Sequence, residues 1–302
     1  MSAYYHAAGI TKTGHRKAVQ RLEELDNRVL TYVGFIDLIR IDHPLMGLRA
    51  MYNQFQPDGI GRDTFIALGL QQGYRIHQPH NPMITTRAIK SSRYRNLLTD
   101  KKVTGINQVW VSDLFYYPCQ DQHYYGVLIM DVYSRRIVGY SMANNMRAEQ
   151  TLLALTMALT LRGVTDFGDG LIHHSDRGSQ YVSHLYTDTL DEAGILTSMC
   201  ATVLENAHSE RVNGTIKNQY LNGFDTSTPK LLFRAMDKSV IGYNGRGHKA
   251  LQGITPIAYE AHLRSVPMNE RIPMTIFTES RSTSAQDNSQ LSLFDQGENL
   301  LK

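Results

Sequence analysis

Three acidic side chains in this chain of 302 residues stand where sequences ordinarily avoid charge, and acids so placed can hold a metal ion or act in catalysis. In Leu171-Ile-His-His-Ser-Asp-Arg-Gly-Ser-Gln-Tyr181 a short apolar run stops abruptly at Asp176. Leu171 and Ile172 read as the end of a buried strand, and Gly178 is expected to permit the sharp turn that exposes the acid just past it. The plainer reading of Asp176 is a turn aspartate that hydrogen-bonds its own backbone. Upstream, Asp113 lies inside the apolar, aromatic stretch Asn107-Gln-Val-Trp-Val-Ser-Asp-Leu-Phe-Tyr-Tyr117, where an unpaired carboxylate is expensive to bury and needs a compensating partner. Downstream, Glu205-Asn-Ala-His-Ser-Glu-Arg-Val-Asn-Gly-Thr-Ile-Lys217 reads as a helix carrying Glu210, with Asn213 and Lys217 on the same face.

In order and spacing, Trp110-x-x-Asp113, His174-Ser-Asp-Arg-Gly-Ser-Gln-Tyr181 and Glu205-Asn-Ala-x-x-Glu210-Arg-x-Asn-Gly-x-x-Lys217 match one another's places in a known pattern. So do Asp131-Val-Tyr-Ser-Arg-Arg-Ile-Val-Gly139, Tyr243-Asn-x-Arg-x-His248, Leu251 and Thr255-Pro256. With these motifs the chain resembles the DDE transposases of the retroviral-integrase superfamily, in particular the integrase-like (OrfB-type) proteins of bacterial insertion sequences. The agreement spans roughly Ile41 to Leu263. It departs from many relatives at the start of the helix, where Glu205 stands in place of Asp; the family's catalytic position is Glu210.

The resemblance implies a catalytic triad of Asp113, Asp176 and Glu210 that also forms the metal site. Phosphodiester cutting and joining needs an activated oxygen nucleophile, a stabilised leaving oxygen and neutralised charge on the phosphoryl oxygens, and two divalent ions about 3.5 to 4 Å apart supply all three. Mg²⁺, with Mn²⁺ as a substitute, prefers carboxylates, water and substrate phosphate to a full protein cage. Asp113 is expected to bridge both ions while Asp176 and Glu210 each hold one. His173 and His174 admit a His-containing site, although the resemblance favours supporting or DNA-facing roles. Lys217 and Asn213 are expected to contact phosphate. The family cleaves the element's end with water and then joins the freed 3′ hydroxyl to DNA, so no nucleotide cofactor is needed, and the sequence has no P-loop. The same residues leave open a nuclease of this fold that only hydrolyses, or a catalytically inactive DNA-binding protein.

The elements that must position these residues follow from periodicity. Strands are expected at Val109–Tyr116, Tyr124–Met130 and Ile137–Met142, joined by short turns into an antiparallel meander. A helix over Ala148–Arg162 stops at Gly163, followed by a strand at Leu171–His174, a helix at Ser183–Ala193, a strand at Ile195–Met199 and a helix at Asn206–Leu221. This order, βββαβαβα, is that of an α/β ribonuclease H-like core with a mixed five-stranded sheet. In it Asp113 and Asp176 lie side by side and the last helix brings Glu210 over them.

The chain divides into an N-terminal helical segment (1–40), a helix-turn-helix-like DNA-binding module (41–78), a basic linker (79–102), the catalytic core (103–222), a C-terminal helical extension (223–275) and a disordered tail (276–302). Within 1–40, Gly9 to Lys17 resembles the turn and second helix of a small helix-turn-helix, followed by Leu22, Leu25, Val29, Tyr32, Val33 and Phe35. DNA contacts are expected from Arg62 at the start of a helix, from Arg87, Lys90, Arg93 and Arg95 in the basic strip, and from Arg246 in the loop Gly242–Gly253, for which structural closure by Tyr243 and His248 is the alternative. In the tail, Gln290, Leu291, Ser292, Leu293 and Phe294 resemble the peptide by which bacterial proteins dock on the replication sliding clamp. Two cysteines, Cys119 and Cys200, are too few for a disulfide framework or a Cys-rich zinc site, and no apolar run is long enough to span a membrane; a reducing, cytoplasmic setting is expected. Partners implied are double-stranded DNA, a second copy when two ends are synapsed, the sliding clamp, and an upstream-frame DNA-binding protein.

Overall fold

The computed structural model describes residues 9, 11–76, 94–168, 170–200 and 206–276. Three helices come first: α1 (Lys12–Asp42), α2 (Leu48–Phe55) and α3 (Arg62–Gln71). A short strand β1 (Lys102–Val103) precedes β2 (Val109–Cys119), β3 (Gln122–Asp131), β4 (Ile137–Ala143), α4 (Ala148–Arg162), β5 (Leu171–Ser175), α5 (His184–Glu192), β6 (Ile195–Met199) and α6 (Ala207–Thr215). A turn of π-helix, Ile216–Tyr220, extends α6, and α7 (Pro229–Gly245), α8 (Pro256–Leu263) and β7 (Met274–Thr275) complete the described chain.

The five-stranded sheet has the order β4-β3-β2-β5-β6. β2, β3 and β4 pair antiparallel, whereas β5 joins β2 and β6 joins β5 in parallel. The meander comes from short turns, and the parallel half from the α4 and α5 crossovers, because parallel neighbours cannot be joined by a tight turn. β2 is therefore central and almost continuously buried, and it reads as an apolar run rather than a strict alternation. Its alternate side chains serve two cores. Val109, Val111 and Phe115 pack with Val212, Ile216, Leu232, Met236 and Val240 from α6 and α7, and Trp110 packs on the opposite face with Ala154, Leu155, Tyr186 and Leu190 from α4 and α5. The architecture is a ribonuclease H-like three-layer α/β/α core.

The strands and helices lie where periodicity puts them, within a few residues at their ends. Gly163 adopts φ 61° and its N–H closes on Leu159 and Thr160, so the helix stops where a left-handed residue is available. Thr228-Pro229 and Thr255-Pro256 start α7 and α8 as N-cap and first helical residue, each threonine accepting a bond from a backbone N–H three residues on.

Three features differ from the sequence expectation. Gly9 to Lys17 contains a turn at Gly9 but no break thereafter: Thr11 caps a single helix of 31 residues in which Leu22 and Leu25 are exposed, and only its C-terminal part is packed, through Tyr32, Ile36 and Ile39. That helix runs through residue 40, and its core is shared with Met46, Leu48, Met51 and Phe65. The segment before β2 is docked from Tyr94 onward, with Leu98 fully buried and β1 paired to β7. Residues of α7 and α8 belong to the main hydrophobic cluster, so the sheet face is completed by chain beyond residue 222. Arg87, Lys90, Arg93, Glu205 and the peptide from Gln290 to Phe294 lie outside the described residues.

A buried charge network joins α8 to the sheet. Asp131 at the end of β3 accepts backbone bonds from Asn107, Tyr133 and Ser134, and Arg162 at the end of α4 lies 3.5 Å away. Glu260 of α8 accepts from Arg162 at 2.7 Å, from Arg136 at 2.6 Å and from Ser134. Burial alone would raise the Glu260 carboxyl, but Arg162 and Arg136 hold it below its usual range.

The tightest contact of helix on sheet is at Gly139 of β4, where a Cβ would lie 2.0 Å from the backbone oxygen of Ala154 in α4. A backbone oxygen in a packed helix has nowhere to retreat. Gly139→Ala should therefore destabilise the fold by about 2 to 3 kcal/mol, at the upper end for overpacking. Chemical denaturation followed by circular dichroism checks it, and an unchanged midpoint would show that α4 shifts freely.

Candidate active site

Parallel pairing of β2 with β5 ends at Ser112 opposite Ser175, so Asp113 and Asp176 are the next residues on adjacent strands. Neither is placed by chance of loop closure. The β2–β5 ladder fixes their alignment, and the carboxyl end of a parallel strand is where a crossover leaves the sheet and opens a cleft. α6 crosses the same face, and its first turn carries Glu210 while Asn213 follows one turn later.

Asp113 is held on both oxygens. Its Oδ1 accepts from the backbone N–H of Leu114 at 2.8 Å and its Oδ2 accepts from the Asn213 amide at 3.0 Å. Burial pushes the Asp113 carboxyl up to about 7; the neighbouring Asp176 pushes in the same direction, as does Glu210, and the two hydrogen bonds only partly offset them. Asp176 is also raised by burial, and its Oδ1 accepts from the Gly178 N–H at 3.0 Å. The turn role of Asp176 and its closeness to Asp113 are compatible: one oxygen fixes the turn and the carboxyl still acts on Asp113. Gly178 acts differently from the expectation. Its φ is −65°, open to any residue, and what excludes a side chain is Gln180, whose amide would lie 2.3 Å from a Cβ.

Glu210 is exposed at the rim and raised by partial burial. Among the described residues, no three side chains of His, Cys, Asp or Glu converge closely enough to share one ion. Asp113, Asp176 and Glu210 stand near enough for each of the other two to act on Asp113, without being drawn into one sphere. Like charges in a partly desolvated cleft repel, and either protonation or a cation between them relieves that.

The two histidines beside Asp176 each have one ring nitrogen engaged inside the core. His173 Nε2 bonds the Tyr186 hydroxyl at 2.9 Å, stacks edge-on with that ring, and is kept neutral by burial, its pKa near 3. His174 is fully buried with Nδ1 against the Ser198 hydroxyl at 2.8 Å. They bind strand to helix and strand to strand and do not face an incoming ligand. Asn213 likewise orients Asp113 instead of reaching outward. Lys217 lies in the π-helical turn with its ammonium 4.9 Å from the Tyr116 ring, its pKa lowered by burial. A π-turn inserted in a helix re-aims the side chains after it, a feature frequent at functional sites.

The remaining expected contact residues separate. Arg62 is exposed and paired with Asp63 at 2.9 Å, and Arg95 is exposed beside the core. Arg246 donates to Gln219 at 2.5 Å and lies over the Tyr220 ring, while His248 donates from Nε2 to the Tyr243 carbonyl. The loop is thus closed on the core by Tyr243 and His248. Residues that sequence reasoning passed over also shape the site: Ser112 shares a 2.8 Å bond with Tyr181, and Asn206 reaches the Ser112 carbonyl, so the strand segment before Asp113 is tied to both flanking helices. Tyr181 and Asn206 stand inside the quoted motifs, which was the available signal.

The sheet order is that of an integrase-type core, and the integrase core domain family matches residues 103–203. A 31 kDa protein of the insertion element IS600 from Shigella sonnei is 34% identical over 221 residues, covering 70% of this chain and 80% of that protein. The transposase of IS629 from the same organism is 38% identical over 194 residues, 60% of this chain and 62% of that one. The transposase assigned to IS986/IS6110 in Mycobacterium tuberculosis is 38% identical over 120 residues, so the match spans 43% of its length. The chain belongs to the integrase-like transposases of insertion sequences, a family of polynucleotidyl transferases. Among solved structures, the catalytic core of HTLV-2 integrase in complex with magnesium is similar with a TM-score of 0.41 at 22% identity, over 51% of this chain and 95% of that one. A simian T-cell lymphotropic virus intasome complex gives 0.46 at 14% identity, over 73% of this chain and 69% of that chain.

The raised Asp113 carboxyl sets a pH dependence whose sign is opposite to that of a salt-bridged acid. The folded chain holds this proton more tightly than the unfolded one, so without divalent ions the contribution of Asp113 to stability is most favourable below about pH 4 and declines until pH passes about 7, whereas the lowered Glu260 contributes with the opposite sign at acid pH. The Asp113 contribution over that window is roughly 4 kcal/mol. Asp113→Asn should flatten that decline in thermal unfolding measured from pH 4 to 8 in EDTA. An identical slope in the variant would place the proton elsewhere.

Proposed function

We propose that this chain cleaves the ends of an insertion sequence and joins the freed 3′ hydroxyl to DNA, with Asp113, Asp176 and Glu210 as the catalytic acids. The observation that carries the reading is the meeting of three carboxylates where the β2–β5 ladder ends, Asp176 and Glu210 both raising Asp113 and no cationic side chain pairing with it among the described residues. Family membership supports it, since the relatives are transposases of insertion sequences.

The three carboxylates fit a hard divalent cation, and the two histidines beside Asp176 are fully buried in the core, each with one ring nitrogen bonded there. Bound there, two Mg²⁺ or Mn²⁺ ions would neutralise phosphoryl charge, activate the attacking hydroxyl and stabilise the leaving oxygen. Asp113 would serve both ions, with Asp176 and Glu210 each serving one. Asn213 and the Leu114 N–H fix the Asp113 carboxylate so that its orientation is set before the substrate arrives. Lys217, whose ammonium lies over the Tyr116 ring, would meet a phosphate of the bound strand. Arg62, Arg87, Lys90, Arg93, Arg95 and Arg246 would add backbone contacts to duplex DNA, and two copies would hold the two ends.

Asp113→Asn, Asp176→Asn and Glu210→Gln should each lower cleavage and joining of a labelled element end by at least about 1,000-fold while the fold is kept, because each removes metal-binding charge without changing shape. Glu205→Gln should cost less than about tenfold. Activity lost in Glu205→Gln and retained in Glu210→Gln would move the third acid, and ends that are cut but never joined would make the protein a nuclease. EDTA should stop both reactions and added Mg²⁺ should restore them.

We also infer that Gln290-Leu-Ser-Leu-Phe294 docks on a sliding clamp, with Leu291, Leu293 and Phe294 filling apolar pockets. Calorimetry with purified clamp and a peptide spanning residues 284–302 should give binding that Leu293→Ala with Phe294→Ala removes; no heat with the unaltered peptide would dispose of the inference. An upstream-frame protein would contribute end recognition in the same assembly.

A further inference from the structure

Helix α6 works on two sides. Glu210 and Asn213 turn toward the aspartates, whereas His208, Arg211, Val212 and Thr215, spaced as one helical stripe, line a cavity of about 220 Å³ behind it. The opposite walls are Arg135 from the β3–β4 turn and Tyr243, Arg246, His248 and Lys249 from the end of α7 and the loop after it. Among the described residues, four cationic side chains and no carboxylate border this space.

Arg135 is the telling member. It follows Ser134 in a left-handed backbone conformation, φ 61°, which a non-glycine residue adopts at a cost of about 1 kcal/mol. Its neighbour Arg136 is neutralised by Glu260 at 2.6 Å, but Arg135 is largely buried with no salt-bridge partner among the described residues, the field of Asp131 reaching it only from a distance. Among the described residues its guanidinium donates to His208 Nδ1 at 2.6 Å and to the sulfur of Met274 at 3.3 Å, and neither partner carries negative charge. Because Nδ1 of His208 accepts from a guanidinium, its ring proton sits on Nε2 and the ring is a donor there. Burial, with Arg135 and Arg211 beside it, holds the His208 pKa near 3, so the ring remains a neutral acceptor for Arg135. Arg211, Arg246 and Lys249 have no ion-pair partner among the described residues either.

A desolvated guanidinium among three further cations is costly unless something anionic joins it. Arginine's planar fork suits tetrahedral oxyanions, and the cavity is lined by the same helix that carries Glu210, one of the carboxylates proposed to act on phosphodiesters. We propose that the cavity behind α6 is a phosphate-binding site, formed by Arg135, Arg211, Arg246 and Lys249, that takes the phosphodiester of a DNA strand or free phosphate. A phosphate seated there would grip α6 from behind and steady the helix that presents Glu210. The DNA source rests on the function proposed above; the site itself does not.

The test uses the full chain, Arg211→Gln with Lys249→Gln, and a control, Lys230→Gln with Arg234→Gln. The control removes equal charge from exposed positions outside the cavity. All altered positions are exposed, and melting temperatures confirm that each variant is folded. Binding of a duplex is followed by fluorescence anisotropy across a salt series in EDTA, and binding of inorganic phosphate by calorimetry. The expected result is at least a tenfold loss of duplex affinity in the cavity variant, with the slope of log K against log salt reduced by about 1, and no change in the control. Loss of inorganic phosphate binding with duplex binding intact would assign the site to free phosphate. Equal behaviour of the cavity variant and the control toward both probes would overturn the proposal. A wild-type chain that binds phosphate but no duplex would sink the DNA reading of the function and leave this site standing.

Discussion

The constraint on which the rest of the structure depends is a carboxylate held inside the sheet. Asp113 sits on the central strand, fixed by Asn213 and the Leu114 N–H, beside two further acids that oppose its ionisation. A fold tolerates such an arrangement only if surrounding elements are tied firmly enough to resist relaxing it away. The ties are visible: the β2–β5 ladder runs up to the residue before each aspartate, Tyr181 and Asn206 grip the same strand from either side, and His173 locks β5 to α5 through Tyr186.

Rigidity at the site is supported from a distance by the pairing of Asp131, Arg162 and Glu260. This network pins the end of β3, the end of α4 and α8 at one point, with Asp131 and Glu260 at 0% and 5% exposure. It is also the reason the chain beyond residue 222 is part of the core and not an appendage. The helical N-terminal region is fastened to the same assembly, where His43 meets Tyr220, the Leu45 N–H bonds the Gln219 carbonyl, and the Gly247 N–H bonds Gln54. These contacts reach the π-helical turn that aims Lys217, so the helical region and the catalytic helix share a mechanical connection.

Much of this was legible in the sequence because it is local. Strand β6 and helix α4 have the bounds their periodicity implies, and Gly163 and the Thr-Pro pairs punctuate helices for reasons of backbone geometry that need no tertiary context. The motifs brought Asp113, Asp176 and Glu210 together. What could not be read is what depends on a partner distant in sequence. Asn213 resembles an outward-reaching phosphate ligand until its bond to Asp113, a hundred residues earlier, is known. His173 and His174 resemble metal ligands until Tyr186 and Ser198 are placed against them. Arg135 and Arg136 are identical by sequence, yet only one meets Glu260, and the exposed Leu22 and Leu25 follow a helical stripe that has no packed neighbour among the described residues.

The central claim is that the three acids together hold divalent cations. The most direct measurement is anomalous diffraction from crystals of the full chain soaked in Mn²⁺ at pH 7.5. The account predicts anomalous density between Asp113 and Asp176, with Glu210 drawn inward, and none there in Asp113→Asn crystals. Density at His173 or His174 instead, or an empty cleft at millimolar Mn²⁺, would contradict it.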